Sequence, residues 1–175
     1  MAIQLIMVPG LGNSGPQHWQ SLWEAQDTAI RRVGQSDWDT PTCAAWVKKL
    51  HEEIQQADAP VVLVAHSLGC LAVVHWARHY QGNVKAAMLV APPDAERPDF
   101  PQEATGFAPI PQQKLPFPTI VVASSNDPYI SMQRVQELGR NWGSQLVSVG
   151  DARHINASSG LGDWPQGQQL LQELL

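Results

Sequence analysis

The sequence has few of the features that stabilise a secreted chain or anchor one in a membrane. Cysteine occurs only at positions 43 and 70. Two cysteines are too few for the disulfide framework of small secreted domains, so we expect a reducing, cytoplasmic location. No apolar run approaches the roughly 20 residues that span a bilayer. The first apolar segment has no basic stretch before it and ends at Pro9-Gly10, which predicts a first strand rather than a signal peptide.

Positive charge is also scarce. The 175 residues include 11 Lys and Arg against 16 Asp and Glu, which gives a net charge of −5. We therefore expect neither nucleic acid nor a membrane surface as a partner. Hydrophobic residues make up 43% of the chain, which indicates a globular protein, and the length suits one domain over residues 1–175 with a single core. The composition leaves the oligomeric state open.

Short apolar runs alternate with helical patterns along the chain. Four runs lack the polar alternation of a half-exposed strand, and two weaker runs complete a set of six: Ile3–Val8, Val61–Ala65, Ala86–Ala91, Thr119–Ala123, then Ala29–Val33 and Gln145–Val149. The predicted helices are Gln17–Gln26 after Pro16, Thr42–Gln56 with Thr40 as N-cap, Leu68–His79, Ser131–Asn141 and Trp164–Leu174. This order predicts an α/β fold with a central, mostly parallel six-stranded sheet flanked by helices. The proline-rich stretch Pro92–Pro118 is expected to be irregular and to border a binding site.

A candidate nucleophile follows the strand at Val61–Ala65. The sequence Ala65-His66-Ser67-Leu68-Gly69 lies between a predicted strand and a predicted helix, which is the setting of the G-x-S-x-G nucleophile elbow of α/β hydrolases. Alanine replaces the first glycine and is small enough for the turn. The alternative is that Ser67 only caps the helix. His66 is expected to be a structural residue beneath the turn, because adjacent side chains diverge there.

Two later loops provide a base and a carboxylate in the chain order that this fold class uses, Ser then Asp then His. Asp127 follows the strand Thr119–Ala123, and His154 follows Gln145–Val149. We predict that His154 activates Ser67 and that Asp127 orients the histidine. The alternatives are an Asx turn at Asp127, a surface-loop histidine at 154, and Asp151 as a competing partner only three residues before it.

The glycine-rich loop Gly10–Gly15 after the first strand matches G-x-G-x-x-G. That pattern is also found in dinucleotide sites, and Asp37 would then be the ribose ligand. Pro16 argues against this alternative, since it would lie inside the helix that such a site requires. In a hydrolase, the same loop supplies an oxyanion donor, and we predict the backbone N–H groups of Leu11 and Leu68 for that role.

His75 and His79 are four residues apart, a spacing that can bind a metal. The sequence between them is Trp-Ala-Arg, so the glutamate of a zinc-protease motif is missing. We therefore expect a solvated helix end, and we predict neither a metal nor an organic cofactor.

Four segments together resemble the small serine hydrolases typified by the retinoblastoma-binding serine hydrolase and its bacterial relatives. They are Val8–Ser14 with His18-Trp19, Ala65–Cys70, Ser125–Pro128, and His154–Asn156 with Gly160–Pro165. The resemblance implies a compact α/β-hydrolase fold without a lid domain and a Ser67, Asp127 and His154 triad. It implies no particular substrate. Binding to retinoblastoma protein would require Leu-x-Cys-x-Glu, and the sequence from Leu68 to Ala72 lacks the glutamate.

These observations predict an enzyme that cleaves a small-molecule ester through an acyl-enzyme, with an amide or a thioester as alternative substrates. His18, Trp19 and Trp164 are candidates for the pocket rim, and plain packing is the equal alternative for these three residues. A non-catalytic interaction module that has kept the hydrolase fold is the alternative function.

Overall fold

The computed structural model describes residues 2–175. All neighbouring strands pair in parallel, in the order β2-β1-β3-β4-β5-β6. The strands are β1 Gln4–Val8, β2 Arg31–Arg32, β3 Val61–His66, β4 Val84–Val90, β5 Thr119–Ala123 and β6 Gln145–Ser148. The helices are α1 Trp19–Gln26, α2 Cys43–Gln55, α3 Leu68–His79, α4 Met132–Trp142 and α5 Pro165–Gln172, with a short 3-10 helix at Ala157–Ser159. The predicted α/β-hydrolase fold is confirmed, and no separate lid domain occurs in the part of the chain that the structure describes.

The central strands are mostly apolar because helices cover both faces of the sheet. Every residue of β3 and β5 is buried, as expected for parallel strands between two helical layers. One layer of the core joins the sheet to α2, α3 and α4, and the other joins it to α1 and α5. Parallel pairing also places all the strand carboxyl ends at one edge of the sheet, so the loops that follow the strands lie side by side there.

Two predicted helix starts differ from the structure, by two residues in α1 and by one residue in α2. Helix α1 begins at Trp19, after an N-cap formed by His18, whose Nδ1 accepts a hydrogen bond of 3.1 Å from the Gln20 backbone. Helix α2 is capped by Thr42 rather than Thr40. The Thr40 hydroxyl instead donates to Asp37 at 2.5 Å, which keeps Thr40 in the preceding turn. The other helix ends differ from the prediction by two residues or fewer.

The segment 92–118 contains no helix or strand, as its prolines predicted. Within residues 2–175, the structure has no helix that is long and apolar enough to cross a membrane.

The start of α3 packs directly on the end of β1. A Cβ atom added at Gly69 would lie 2.2 Å from the carbonyl oxygen of Val8 and 2.7 Å from that of Pro9. Both neighbours are backbone atoms, so the strand itself would have to move. Glycine at position 69 is therefore required by a close approach between two elements, and the same approach brings the loop after β1 to Ser67.

We expect Gly69→Ala to lower the free energy of unfolding by about 3 kcal/mol, since inserting a methyl group into a packed core costs about 1–3 kcal/mol and here it meets backbone. The matched control is Gly139→Ala in α4, where an added Cβ meets nothing within 4 Å. That variant should gain up to about 1 kcal/mol from helix propensity. Urea unfolding of the two variants measures both changes, and equal stabilities would contradict the packing argument.

Candidate active site

Ser67 lies in the sharp turn between β3 and α3. Its backbone has φ 53° and ψ −124°, a conformation that residues with a Cβ rarely adopt. The turn is held by a 2.9 Å hydrogen bond from the Ser67 N–H to the Val90 carbonyl. The Ser67 side chain makes no capping hydrogen bond to the helix, so the helix-capping alternative is wrong. The hydroxyl instead points to His154, in the loop that follows β6.

The structure brings Ser67, His154 and Asp127 together in one hydrogen-bonded line. Nε2 of His154 is 2.7 Å from Oγ of Ser67, and Nδ1 is 3.0 Å from Oδ2 of Asp127. A carboxylate only accepts hydrogen bonds, so Nδ1 carries the proton and Nε2 is free to accept the Ser67 hydroxyl proton. The Tyr129 N–H donates to the same carboxylate at 2.9 Å. Asp151 is exposed and makes no contact with His154, so Asp127 is the partner.

The loop that carries His154 is strained and is tied to the loop after β5. Arg153 and Ile155, which flank the histidine, have φ values of 51° and 49°, and a positive φ is a marked outlier for β-branched isoleucine. Hydrogen bonds hold this conformation. The Ala152 N–H donates to Ser124 Oγ at 2.9 Å, and the Arg153 N–H donates to Asn126 Oδ1 at 2.7 Å. Ser124 and Asn126, in the loop that carries Asp127, therefore position His154 as well.

The loop after β1 lies against the nucleophile turn. A Cβ atom at Gly10 would lie 2.9 Å from Cβ of Ser67 and 3.2 Å from the Leu68 nitrogen, so only glycine allows this approach. The backbone N–H groups of Leu11 and Leu68 donate to no other group within residues 2–175. Both residues line the same cavity as Ser67. Arg32 anchors the loop by donating to Asn13 Oδ1 at 3.0 Å and to the Ser14 carbonyl at 2.9 Å.

The dinucleotide interpretation of this loop is not supported by the geometry. A dinucleotide phosphate would bind at a helix N-terminus directly after the loop. Here α1 begins only at Trp19, and the His18 imidazole already caps it. Asp37 is exposed and accepts hydrogen bonds from the turn at Asp39 and Thr40.

A cavity of about 690 Å³ opens beside Ser67 and His154. Its apolar wall comes largely from the loop after β1 and from the segment 92–118, with Leu11, Leu68, Pro93, Phe100, Pro101, Ala104 and Tyr129. Three charged residues of that segment also line it: Asp94, Arg97 and Asp99. The Arg97 guanidinium is already engaged by two hydrogen bonds to Asp99, of 2.8 and 2.6 Å. The proline-rich segment thus forms a wall of the site.

Two of the three predicted rim residues do not line this cavity. His18 does, but Trp19 and Trp164 are only 1% and 2% exposed and pack against Trp23. The apolar area of both rings is buried against the sheet, so Trp19 and Trp164 are packing residues, as the alternative prediction had it. Trp19 still contributes to the site, because its Nε1 donates to the Ile155 carbonyl at 2.8 Å and supports the His154 loop from behind.

The sequence did not reveal the contacts that two other histidines make. His66 is buried and its Nε2 lies 2.9 Å from the His154 carbonyl oxygen, while its Nδ1 lies 3.3 Å from Nε2 of His18. Burial is the main cause that lowers the pKa of His18 to about 4, with Arg32 and His154 adding to it. Burial also holds the pKa of His66 well below its usual range. The only signal in the sequence for these contacts was the position of His66 directly before Ser67.

His75 was expected at a solvated helix end, and this was wrong. The side chain is buried, and its Nε2 lies 2.9 Å from the Phe107 carbonyl oxygen. Phe107 belongs to the irregular segment 92–118, whose path the sequence does not reveal. Residues 2–175 contain no group of three or more His, Cys, Asp and Glu side chains arranged to hold a metal ion.

Comparison with protein families gives a match over nearly the whole chain. The family model described as Serine hydrolase matches residues 5–173. The chain belongs to this serine hydrolase family. The curated proteins yield no match.

Solved structures agree with the family and the fold. A YdeN-like hydrolase from Pectobacterium atrosepticum is 36% identical, with a TM-score of 0.89 over 98% of this chain and 90% of that one. The ydeN gene product of B. subtilis is 17% identical, with a TM-score of 0.74, and the match covers 99% of this chain and 98% of that one. A thermophilic esterase from Thermogutta terrifontis is 16% identical, with a TM-score of 0.72, and the match covers 99% of this chain and 89% of that one. The last two share the fold with this hydrolase.

The backbone of Ser67 yields a stability prediction. Ser67→Gly should be more stable than Ser67→Ala by about 1 kcal/mol, because glycine relieves a strain of about 1–3 kcal/mol and loses about 0.5–1 kcal/mol to its own chain entropy. Both variants lack the hydroxyl, so each controls for the other. Urea unfolding measures the difference, and a more stable alanine variant would show that the turn is not strained.

His18 makes stability depend on pH. Between pH 6.5 and about 4 the unfolded chain binds a proton at this residue and the folded protein does not, so the free energy of unfolding falls as the pH falls through this window. One group contributes up to about 1.4 kcal/mol per pH unit. We expect His18→Asn, which keeps a capping acceptor, to have a shallower slope by that amount. Urea unfolding at pH 4.5, 5.5 and 6.5 measures the slopes, and identical slopes would contradict a neutral His18.

Proposed function

We propose that this serine hydrolase cleaves a small carboxylic ester through an acyl-enzyme, with Ser67 as nucleophile, His154 as base and Asp127 as the residue that orients the base. The observation that supports this most directly is the continuous hydrogen-bonded line from Ser67 Oγ through the His154 ring to Asp127, with donor–acceptor distances of 2.7 and 3.0 Å. The membership of the serine hydrolase family supports the same reaction class.

In the acylation step, Ser67 Oγ bonds to the ester carbonyl carbon while His154 Nε2 takes the hydroxyl proton. The imidazolium then donates that proton to the alkoxy oxygen as the C–O bond breaks, and the alcohol leaves. In deacylation, His154 takes a proton from water as the water oxygen bonds to the acyl carbon. It then returns the proton to Ser67 Oγ as the bond between the acyl carbon and Oγ breaks, and the carboxylic acid leaves. Asp127, whose side chain is 1% exposed, stabilises the imidazolium in both steps and keeps the proton on Nδ1.

Negative charge on the substrate oxygen would be stabilised by the backbone N–H groups of Leu11 and Leu68. Their lack of other acceptors and the close approach of Gly10 to the turn support this role. One such donor contributes about 3–4 kcal/mol to the transition state. The N-terminus of α3 adds a favourable dipole at the same point.

The cavity supports a neutral small-molecule substrate. Its wall is mainly apolar, and its one guanidinium, that of Arg97, is already paired with Asp99. Asp94, Arg97 and Asp99 together carry one net negative charge in the cavity wall, which is unfavourable for an anionic substrate. An amide or a thioester would react with the same catalytic groups. We propose an ester as the substrate. The reaction calls for no metal or organic cofactor.

We also propose a cytoplasmic location and a role without nucleic-acid or membrane partners. Cys43 and Cys70 are both free and buried, as suits a reducing compartment. The net charge of −5 is unfavourable for binding to polyanions.

A fluorophosphonate probe and a series of p-nitrophenyl esters of increasing acyl length test the proposal. We expect labelling at Ser67 that is lost in Ser67→Ala. In a triad that acts as a unit, Ser67→Ala and His154→Ala each lower kcat by about 10⁶-fold, and the double variant loses little more.

Retained turnover in either single variant would reject these assignments. Absence of labelling and turnover in the wild-type protein would favour a non-catalytic interaction module instead. His75→Asn is the control, because His75 is buried in a similar way but lies outside the cavity.

A further inference from the structure

Three buried histidines, His18, His66 and His154, lie in a row along the wall of the cavity. Nε2 of His18 is 3.3 Å from Nδ1 of His66, and Nε2 of His66 is 2.9 Å from the carbonyl oxygen of His154. The ring centroids of His18 and His66 are 4.6 Å apart, and those of His66 and His154 are 5.0 Å apart. The mechanism proposed above uses only the last of the three.

The groups at the two ends of this row determine the direction of every hydrogen bond in it. At one end, the Gln20 backbone N–H donates to His18 Nδ1 at 3.1 Å, so the proton of a neutral His18 is on Nε2. At the other end, the His154 carbonyl only accepts, so the proton of His66 is also on Nε2. The Nδ1 of His66 is then free to accept from His18. Both ends require the same pair of tautomers, and no other neutral pair satisfies all three contacts.

The row works only while both histidines are neutral. A proton on His18 Nδ1 would face the Gln20 N–H, and a proton on His66 Nδ1 would face the N–H of His18. Burial is the main cause that keeps the pKa of both rings low; Arg32 and His154 add to it at His18, and His18 and His154 add to it at His66. Neutrality also suits the reaction, because a positive charge at His66 would oppose the imidazolium that forms on His154.

The row ends on the backbone of His154 itself. The flanking residues Arg153 and Ile155 have positive φ values and are held by Asn126 and Trp19 respectively. His66 holds the carbonyl between them. A rotation of this peptide would move the imidazole relative to Ser67, and misplacement by about 1 Å can lower a rate by about 100-fold.

We propose that His18 and His66 are a pair of neutral positioning residues, whose one-way chain of hydrogen bonds runs from the N-terminus of α1 to the His154 carbonyl and sets the His154–Ser67 distance. This inference rests on the proposed function for its kinetic readout. The N-terminus of α1, which follows β1, thus supports a residue that follows β6, four positions away from β1 in the sheet.

The test separates the hydrogen bond from the bulk of the ring. His66→Asn has no atom that reaches the His154 carbonyl, whereas the longer amide of His66→Gln can donate to it. We expect kcat of His66→Asn with a p-nitrophenyl ester to fall about 10- to 100-fold with KM within about 3-fold, and His66→Gln to recover at least about half of that loss on a logarithmic scale. His18→Asn keeps the helix cap but loses the Nε2 donor. Its kcat should fall by a smaller factor than that of His66→Asn.

His75→Asn is the matched control. His75 makes a similar 2.9 Å contact with a backbone carbonyl, that of Phe107, outside the cavity. His75→Asn should lower the free energy of unfolding and leave kcat within about 2-fold of the wild-type value. If His66→Asn behaves like His75→Asn, the role of His66 is structural and the proposal is overturned.

A second measurement needs no activity and no variant. In ¹⁵N-histidine spectra of the wild-type protein, His18 and His66 should both be neutral Nε2–H tautomers at pH 7 and at pH 5.5. A proton on Nδ1 of either ring would overturn the proposal.

The two proposals fail in different ways. Wild-type protein that neither labels with a fluorophosphonate nor hydrolyses the esters would contradict the proposed function, while the spectra still test the histidine row. Wild-type protein that labels at Ser67, together with an unchanged labelling rate in His66→Asn, would overturn only the histidine pair.

Discussion

The hydrogen bond between His154 and Ser67 is the constraint on which the rest of the site depends. The two residues follow β6 and β3, and β4 and β5 lie between these strands. Neighbouring strands are about 4.8 Å apart, so the loop after β6 has to reach back across roughly 14 Å of sheet edge. It does so through a backbone with positive φ at Arg153 and Ile155. Such a backbone needs support from outside the loop, and most of the contacts around the site provide it.

That support comes from two sides of the loop. On one side, Ser124 and Asn126 accept hydrogen bonds from the backbone just before His154. On the other, α1 contributes the Trp19 indole to Ile155 and, through His18, the row of imidazoles that ends at the His154 carbonyl. The same helix packs its tryptophans against the sheet, so the core on that face and the position of His154 are parts of one structure.

Local sequence pattern predicted those features that depend on neighbours along the chain. The strand Thr119–Ala123 and the helix Leu68–His79 were predicted with their observed ends, because continuous apolar runs and the turn at Ser67 are local signals. Capping was less predictable. Thr40 and Thr42 are both suitable N-caps, and only the path of the turn at Asp37 decides between them. Trp19 was equally suited to a rim or to a core, since a large apolar ring buries its area in either place.

By itself, the sequence determined the order of strands and helices, the residue types at positions 67, 127 and 154, and the edge of the sheet at which they would meet, because parallel strands place their carboxyl ends together. The tertiary structure alone decided which carboxylate faces the base, since Asp127 and Asp151 are both near a strand end and only one turns inward. It also decided that His18 and His66, 48 residues apart, share a hydrogen bond. A side-chain contact across such a separation depends on how a helix packs against the sheet, and no local pattern in the chain encodes that packing.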